Sequence, residues 1–123
     1  MIHLDTSALV GAIAGERPAE SRLYELIDRG EQISISSPVL YEWLRGPRRP
    51  GELTIQEALF PPETVVAFGP LEAALAADLY RKVRRARLRT VDLVVAACAI
   101  SHGAALWTLN PKDFRDIPGL VLV

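Results

Sequence analysis

Four carboxylates, Asp5, Glu42, Asp92 and Asp113, with the neighbouring Asn110, are the residues whose positions bear on chemistry. Asp5 directly follows the apolar run Ile2–Leu4. There it can cap the helix that begins at Thr6 or face a site, and position alone weights the two equally. Asp92 is the only charged residue in the segment Val91–Ile100, which is apolar all round and therefore reads as a buried helix. A carboxylate in the first turn of such a helix suits the exposed backbone N–H groups and the helix dipole. That is adequate as stabilisation, but a buried setting favours a functional role. Glu42 points away from the apolar face Val39, Leu40, Trp43 and Leu44, and taken singly it reads as a solvated residue. Asn110 and Asp113 follow the run Leu106–Thr108, where an Asn-Pro pair starts a turn, and Asp113 alone can be read as a turn residue.

The set says more than its members. Carboxylates gathered in one cleft repel one another and raise one another's pKa unless a cation intervenes. Oxygen-only donors select hard ions, so Mg²⁺ or Mn²⁺ is expected. Zinc is not, because Cys98, His3 and His102 lack ligand spacing. His3 reads as structural, His102 as a helix C-terminal residue and Cys98 as a core residue.

The elements that must position these side chains alternate. Strands are expected at 2–4, 33–35, 64–68, 106–108 and 120–123. Helices are expected at 6–14, 18–29, 38–45, 53–60, from 70 to about 86, and from 91 to about 102. Ser37 and Thr90 are the expected caps of the third and last helices, and a short helical turn is expected at 111–114. Strands alternating with helices imply a parallel sheet covered on both faces by right-handed crossovers. In such sheets the ligand sits beyond the carboxyl ends of the strands, which is where Asp5, Asn110 and Asp113 fall.

With 123 residues, half of them hydrophobic, the chain is sized for one domain, 1–123, with a core that needs no staples. One cysteine allows no internal disulfide and suits a reducing, cytoplasmic setting. No signal peptide is read, and the apolar stretch Ala8–Ala14 is too short to span a membrane. The net charge of −1 is uninformative, but its distribution is not. Residues 1–44 carry seven acids and three arginines, while 81–89 hold six basic residues in nine. Local basic patches can bind a polyanion in a near-neutral chain, although such a run also reads as a solvated helix face.

The motifs resemble the PIN-domain family, especially its VapC-type toxins. "LDTSALV" is similar to the family's first acidic motif and "SSPVLYEWLRG" to its second. "TVDLVVAACAISHGAALWTLNPKDF" is similar to the third and fourth, before a closing "IPGLVLV". The resemblance implies a three-layer α/β/α sandwich around a parallel sheet of about five strands in the order 3-2-1-4-5. It implies Asp5, Glu42 and Asp92 as core metal-binding acids, with Asp113 in the variable fourth region. Ser7 and Thr108 would support them through hydroxyl hydrogen bonds, and Asn110 holds a position that is acidic in some members. The implied activity is metal-dependent hydrolysis of RNA by an activated water, with Arg45, Arg48, Arg49, Arg84 and Arg85 as candidates for holding the phosphate backbone. The implied partners are a VapB-type antitoxin and a second copy of the chain, for which apolar residues of 53–60 could supply a surface.

Other α/β phosphoryl-transfer folds fit less well. A haloacid-dehalogenase-type phosphatase needs a second aspartate where Ser7 stands, and a receiver domain needs one after the third strand. The remaining alternatives lie within the resemblance: a non-catalytic module that binds RNA or protein, and a nuclease for RNA processing without an antitoxin.

Overall fold

The computed structural model describes residues 1–15 and 17–123. Three parallel strands form the sheet: β1 (Ile2–Leu4), β2 (Ile33–Ser34) and β3 (Ala105–Trp107), in the order β2-β1-β3. Ile2 pairs with Ile33 on one side and Ala105 on the other, and Leu4 pairs with Trp107. β1 is therefore central and buried throughout, as its unbroken apolar and histidine sequence requires. The expected outer strands at 64–68 and 120–123 shrink to single parallel bridges, Ser36 with Val66 and Leu106 with Leu122. They lie at the two edges the order 3-2-1-4-5 assigns them, so the expected arrangement holds with three strands rather than five. Their β-branched and aliphatic composition was the sequence signal for strands, but each edge offers pairing for about one residue.

Among the described residues, six α-helices carry the chain across the sheet: α1 (Thr6–Ile13), α2 (Arg17–Asp28), α3 (Ser37–Arg45), α4 (Pro50–Leu59), α5 (Pro70–Lys82) and α6 (Thr90–Ser101). The caps differ from expectation in instructive ways. Ser36, not Ser37, is the N-cap of α3, and the Ser37 hydroxyl instead accepts from the Phe68 N–H at 3.1 Å. That bond is part of the edge bridge, so tertiary pairing has claimed the side chain. Thr90 is the first residue of α6, and the cap position falls to Arg89. α4 begins at Pro50, three residues before the expected start, with the Glu52 carboxylate accepting from the Arg49 N–H at 2.9 Å. α5 ends at Lys82, short of the expected Ala86. Arg85 then turns the chain in a left-handed conformation, φ 54°, into a 3₁₀ turn at Ala86–Leu88.

The core joins β1 and β3 to the inner faces of α1, α3 and α6. Leu4, Leu9, Val39, Trp43, Ala96, Ala97 and Leu106 are fully covered. Trp43 is completely buried, with the Arg48 guanidinium 4.1 Å from its ring centre and Arg48 Nε donating to the Trp43 carbonyl at 2.9 Å. Leu44, expected on the apolar face of α3, is exposed instead. The 53–60 segment offers less apolar surface than expected, because Phe60 is buried and Ile55 is its one large exposed hydrophobic residue. No helix among the described residues is long and apolar enough to cross a membrane.

Candidate metal centre

Asp5 is both a cap and a cleft residue. It ends β1 at 6 % exposure, and its backbone N–H donates to the Trp107 carbonyl at 3.0 Å, continuing the sheet by one bond. Oδ1 accepts from the Ala8 N–H at 2.8 Å, capping α1, and from the Ser7 hydroxyl at 2.7 Å. Oδ2 accepts from the Thr108 hydroxyl. Ser7 Oγ also accepts from the Leu109 N–H at 3.0 Å, and Thr108 Oγ1 from the Asn110 N–H at 3.0 Å. The two hydroxyls thus tie the end of β1 to the end of β3 through one carboxylate.

Glu42 leaves α3 toward the same cleft rather than toward open solvent. Its side chain is only 17 % exposed, Oε1 accepts from the Thr6 hydroxyl, and Oε2 meets Arg45 at 3.2 Å. Viewed along α3 alone it looked solvated; α1, docked alongside, makes the difference. Thr6 was not singled out in the sequence, and no local signal marks it as the partner of a residue 36 positions away.

Asp92 enters from the first turn of α6, half-buried. Burial, and then the charges of Asp113 and Asp5, push its carboxyl from 3.8 up to about 6; Arg89 pulls the other way, and Glu42 adds a still smaller push. That ordering is a signature of convergence: three acids from remote stretches are felt at one carboxylate. Asp113 is more exposed, on the 3₁₀ turn Pro111–Asp113, with Asn110 beside it. All five residues, with Thr6, Ser7, Val95 and Phe114, line one cleft of about 200 Å³ at the carboxyl ends of β1 and β3.

The donor set fits a hard divalent cation: four carboxylates and an amide, with no nitrogen or sulfur ligand. As arranged, no three acidic, histidine or cysteine side chains among the described residues close on one point. Cys98 is buried among the core, its thiol pushed up to about 11 chiefly by that burial. It lies outside the cleft, as does His3.

The five arginines expected to hold RNA divide into two groups. Arg45 and Arg48 are engaged, with Glu42 and Trp43 respectively, and Arg49 lies with Arg48 beside α4. Arg84 and Arg85 lie in the turn after α5, on a hollow next to the acidic cleft. Arg81 and Lys82, from the same basic run, pair with Asp78 on the surface of α5.

His3 carries a separate prediction. It is 1 % exposed, neither ring nitrogen has a hydrogen-bond partner, and the His102 ring centre is 5.8 Å away. Burial first, then the charges of His102 and the N-terminal amine, lower its pKa from 6.5 to about 4. The unfolded chain therefore takes up this proton at a higher pH than the folded chain. Stability from this residue is complete above pH 6.5 and is lost as pH falls through 6.5 toward 4, about 2 kcal/mol of it by pH 5. His3→Leu should flatten the fall in urea midpoint between pH 7.5 and 5. An equally steep fall in the variant would remove His3 from the account.

Comparison with known proteins agrees with this architecture. Residues 2–120 match the family described as PIN domain. The chain is 34 % identical over 119 residues to Ribonuclease VapC19 of Mycobacterium tuberculosis, covering 95 % of this chain and 94 % of that protein. Among solved structures, VapBC2 from Rickettsia felis bound to a DNA fragment from its promoter superposes with a TM-score of 0.79 at 26 % identity, covering 100 % of this chain and 98 % of the other. A toxin–antitoxin complex from Klebsiella pneumoniae gives a TM-score of 0.75 at 26 % identity, over 98 % and 96 % of the two chains.

Proposed function

This chain belongs to the PIN-domain family, and from that premise we propose that it is a metal-dependent endoribonuclease, the toxin of a toxin–antitoxin pair, hydrolysing RNA phosphodiester bonds in the cytoplasm. The observation that carries the reading is the convergence of Asp5, Glu42, Asp92 and Asp113 on one cleft, registered in the raised pKa of Asp92. Asp5, Glu42 and Asp92 would hold Mg²⁺ or Mn²⁺, with Asp113 at the rim and Asn110 beside it. When bound, such an ion offsets the carboxylate repulsion, activates water for attack on phosphorus and stabilises the extra negative charge of the transition state.

The protein's own contribution is to hold the acids ready. Ser7 and Thr108 fix both oxygens of Asp5, and the Ala8 N–H adds a third donor. Thr6 fixes one oxygen of Glu42, and Arg45 restrains the other. Each restraint narrows the positions a carboxylate samples, so less ordering remains for the moment of reaction. RNA is favoured over DNA by the shape and contacts of the groove, since water rather than a 2′-hydroxyl is the nucleophile.

The toxin reading brings two partners, a VapB-type antitoxin and a second copy of the chain. A basic side chain of the antitoxin placed in the carboxylate cleft would be stabilised there by charge-assisted hydrogen bonds and would exclude the cation. The test is cleavage of a mixed RNA pool by the purified chain. Cuts should appear with Mg²⁺ or Mn²⁺ and disappear in excess chelator. Cuts that persist in chelator, or folded protein that makes none with either ion, would overturn the reading.

A further inference from the structure

We propose that Arg84, Arg85 and Lys112 form a binding site for a backbone phosphate of the RNA strand beside the cleavage position, and that Arg89 is the positioning residue that builds it. This inference rests on the ribonuclease reading and deepens it. A hollow of about 450 Å³ is lined by Arg84, Arg85, Arg89, Lys112, Asp113 and Asp116. Asp113 lines the acidic cleft as well, so the two depressions share a wall. Four cations face two carboxylates in the hollow, leaving a local charge of +2 next to a cleft whose charge is strongly negative. A strand crossing from one to the other would present one phosphate to the acids and a neighbouring one to the arginines.

The four cations are not equivalent. Both terminal nitrogens of Arg89 are committed. Nη1 donates to Asp116 Oδ2 at 2.8 Å and to the Arg84 carbonyl at 3.0 Å. Nη2 donates to Asp116 Oδ1 at 2.6 Å and to the Asp113 carbonyl at 2.9 Å. Its side chain is 16 % exposed, and the bidentate pair with Asp116 cancels its charge. Arg89 has no free fork for a phosphate; what it does is pin two backbone points together, one on each side of the hollow. Arg84, Arg85 and Lys112 are exposed, and among the described residues none has a carboxylate partner.

Arg85 adds a second, independent mark. It is the only non-glycine residue among the described ones with positive φ, 54°. That conformation costs an L-residue free energy and persists only where its surroundings hold it. Here the Arg89 bond to the adjacent Arg84 carbonyl braces the turn, and the reversal sets Arg84 and Arg85 at the hollow. A run that served only as a solvated helix face would need neither the turn nor the clamp.

The test uses the full chain and a single-stranded RNA it cleaves, measuring KM, kcat and the dependence of oligonucleotide binding on salt. Arg84→Gln/Arg85→Gln/Lys112→Gln should raise KM about tenfold and reduce the slope of log K against log salt by about 0.7, as the loss of one phosphate contact to a single strand predicts. Arg89→Lys keeps the charge but cannot make the four-bond clamp. It should reproduce much of the loss in KM and slope, and in combination with the triple variant it should add little to either. A purely structural role for Arg89 would lower Tm and kcat and leave the salt slope alone, which overturns its part. An unchanged KM and slope in the triple variant, with wild-type cleavage intact, overturns the phosphate site while sparing the ribonuclease reading. Absence of cleavage by wild type overturns that reading instead, and the salt slope of binding still reports on the site.

Discussion

Asp92→Asn should abolish metal-dependent cleavage, by on the order of 10³-fold or more, and at the same time make the metal-free protein more stable. The second half follows from sign. Folding raises the Asp92 carboxyl from 3.8 to about 6, so the folded chain binds this proton where the unfolded chain has released it. Stability from this residue is therefore undiminished below about pH 4, falls as pH rises through 6, and above that carries the full penalty, about 2–3 kcal/mol. Asparagine has no charge to desolvate or repel. In chelator at pH 7.5 the variant should melt several degrees above wild type, and at pH 4 the two should coincide. Mg²⁺ should raise the Tm of wild type and leave the variant nearly unmoved. A variant that melts at or below wild type in chelator at pH 7.5 would show that Asp92 is not held against the repulsion of its neighbours.

Asp5→Ala should do the opposite to stability while also ending activity. Asp5 satisfies three donors: a free N–H in the first turn of α1 and two hydroxyls, Ser7 in that same turn and Thr108 just beyond β3. Its removal loses an N-cap, about 1 kcal/mol, and charge-assisted bonds to Ser7 and Thr108, which together bring the cost to about 3–4 kcal/mol. Asp5→Asn retains an oxygen for the Ala8 N–H and should recover most of that loss without recovering cleavage. Denaturant midpoints of the two variants decide it. Equal midpoints would mean that the cap and the tie between strands contribute little. Two carboxylates of one cleft would thus be told apart by thermodynamics: one is supported by its surroundings, the other opposed by them.

The same contrast explains what the sequence disclosed. Asp5 was readable because it ends an apolar run and begins a helix, both local signals. Asp92 was readable because a lone acid in an apolar helix is conspicuous. Glu42, read singly, suggested solvent, since the Thr6 hydroxyl that turns it inward belongs to another helix. The order of the sheet came with the family resemblance, and the edges were over-read because residue composition reports strand propensity and not the length of the neighbouring strand. α5 was drawn too long because arginine, lysine and alanine all favour helix. The turn beyond its actual end is braced by Arg89 reaching Asp116, 27 residues onward, a contact that no window along the chain contains. Ser37 and Thr90 were each placed one residue from the true cap, Ser37 because the edge bridge had another use for its hydroxyl.

The tie between Asp5 and Thr108 spans 103 residues and joins the first strand to the last one paired with it. A growing polypeptide therefore carries Asp5 about a hundred residues before it gains the other wall of the cleft and Asp113. Until Ala105–Trp107 emerges from the ribosome, β1 lacks one of its two neighbours and the Asp5 carboxylate lacks its hydroxyl clamp. The long loop this closes makes the site among the last parts to assemble. A nascent chain that stops short of Thr108 lacks the assembled cleft.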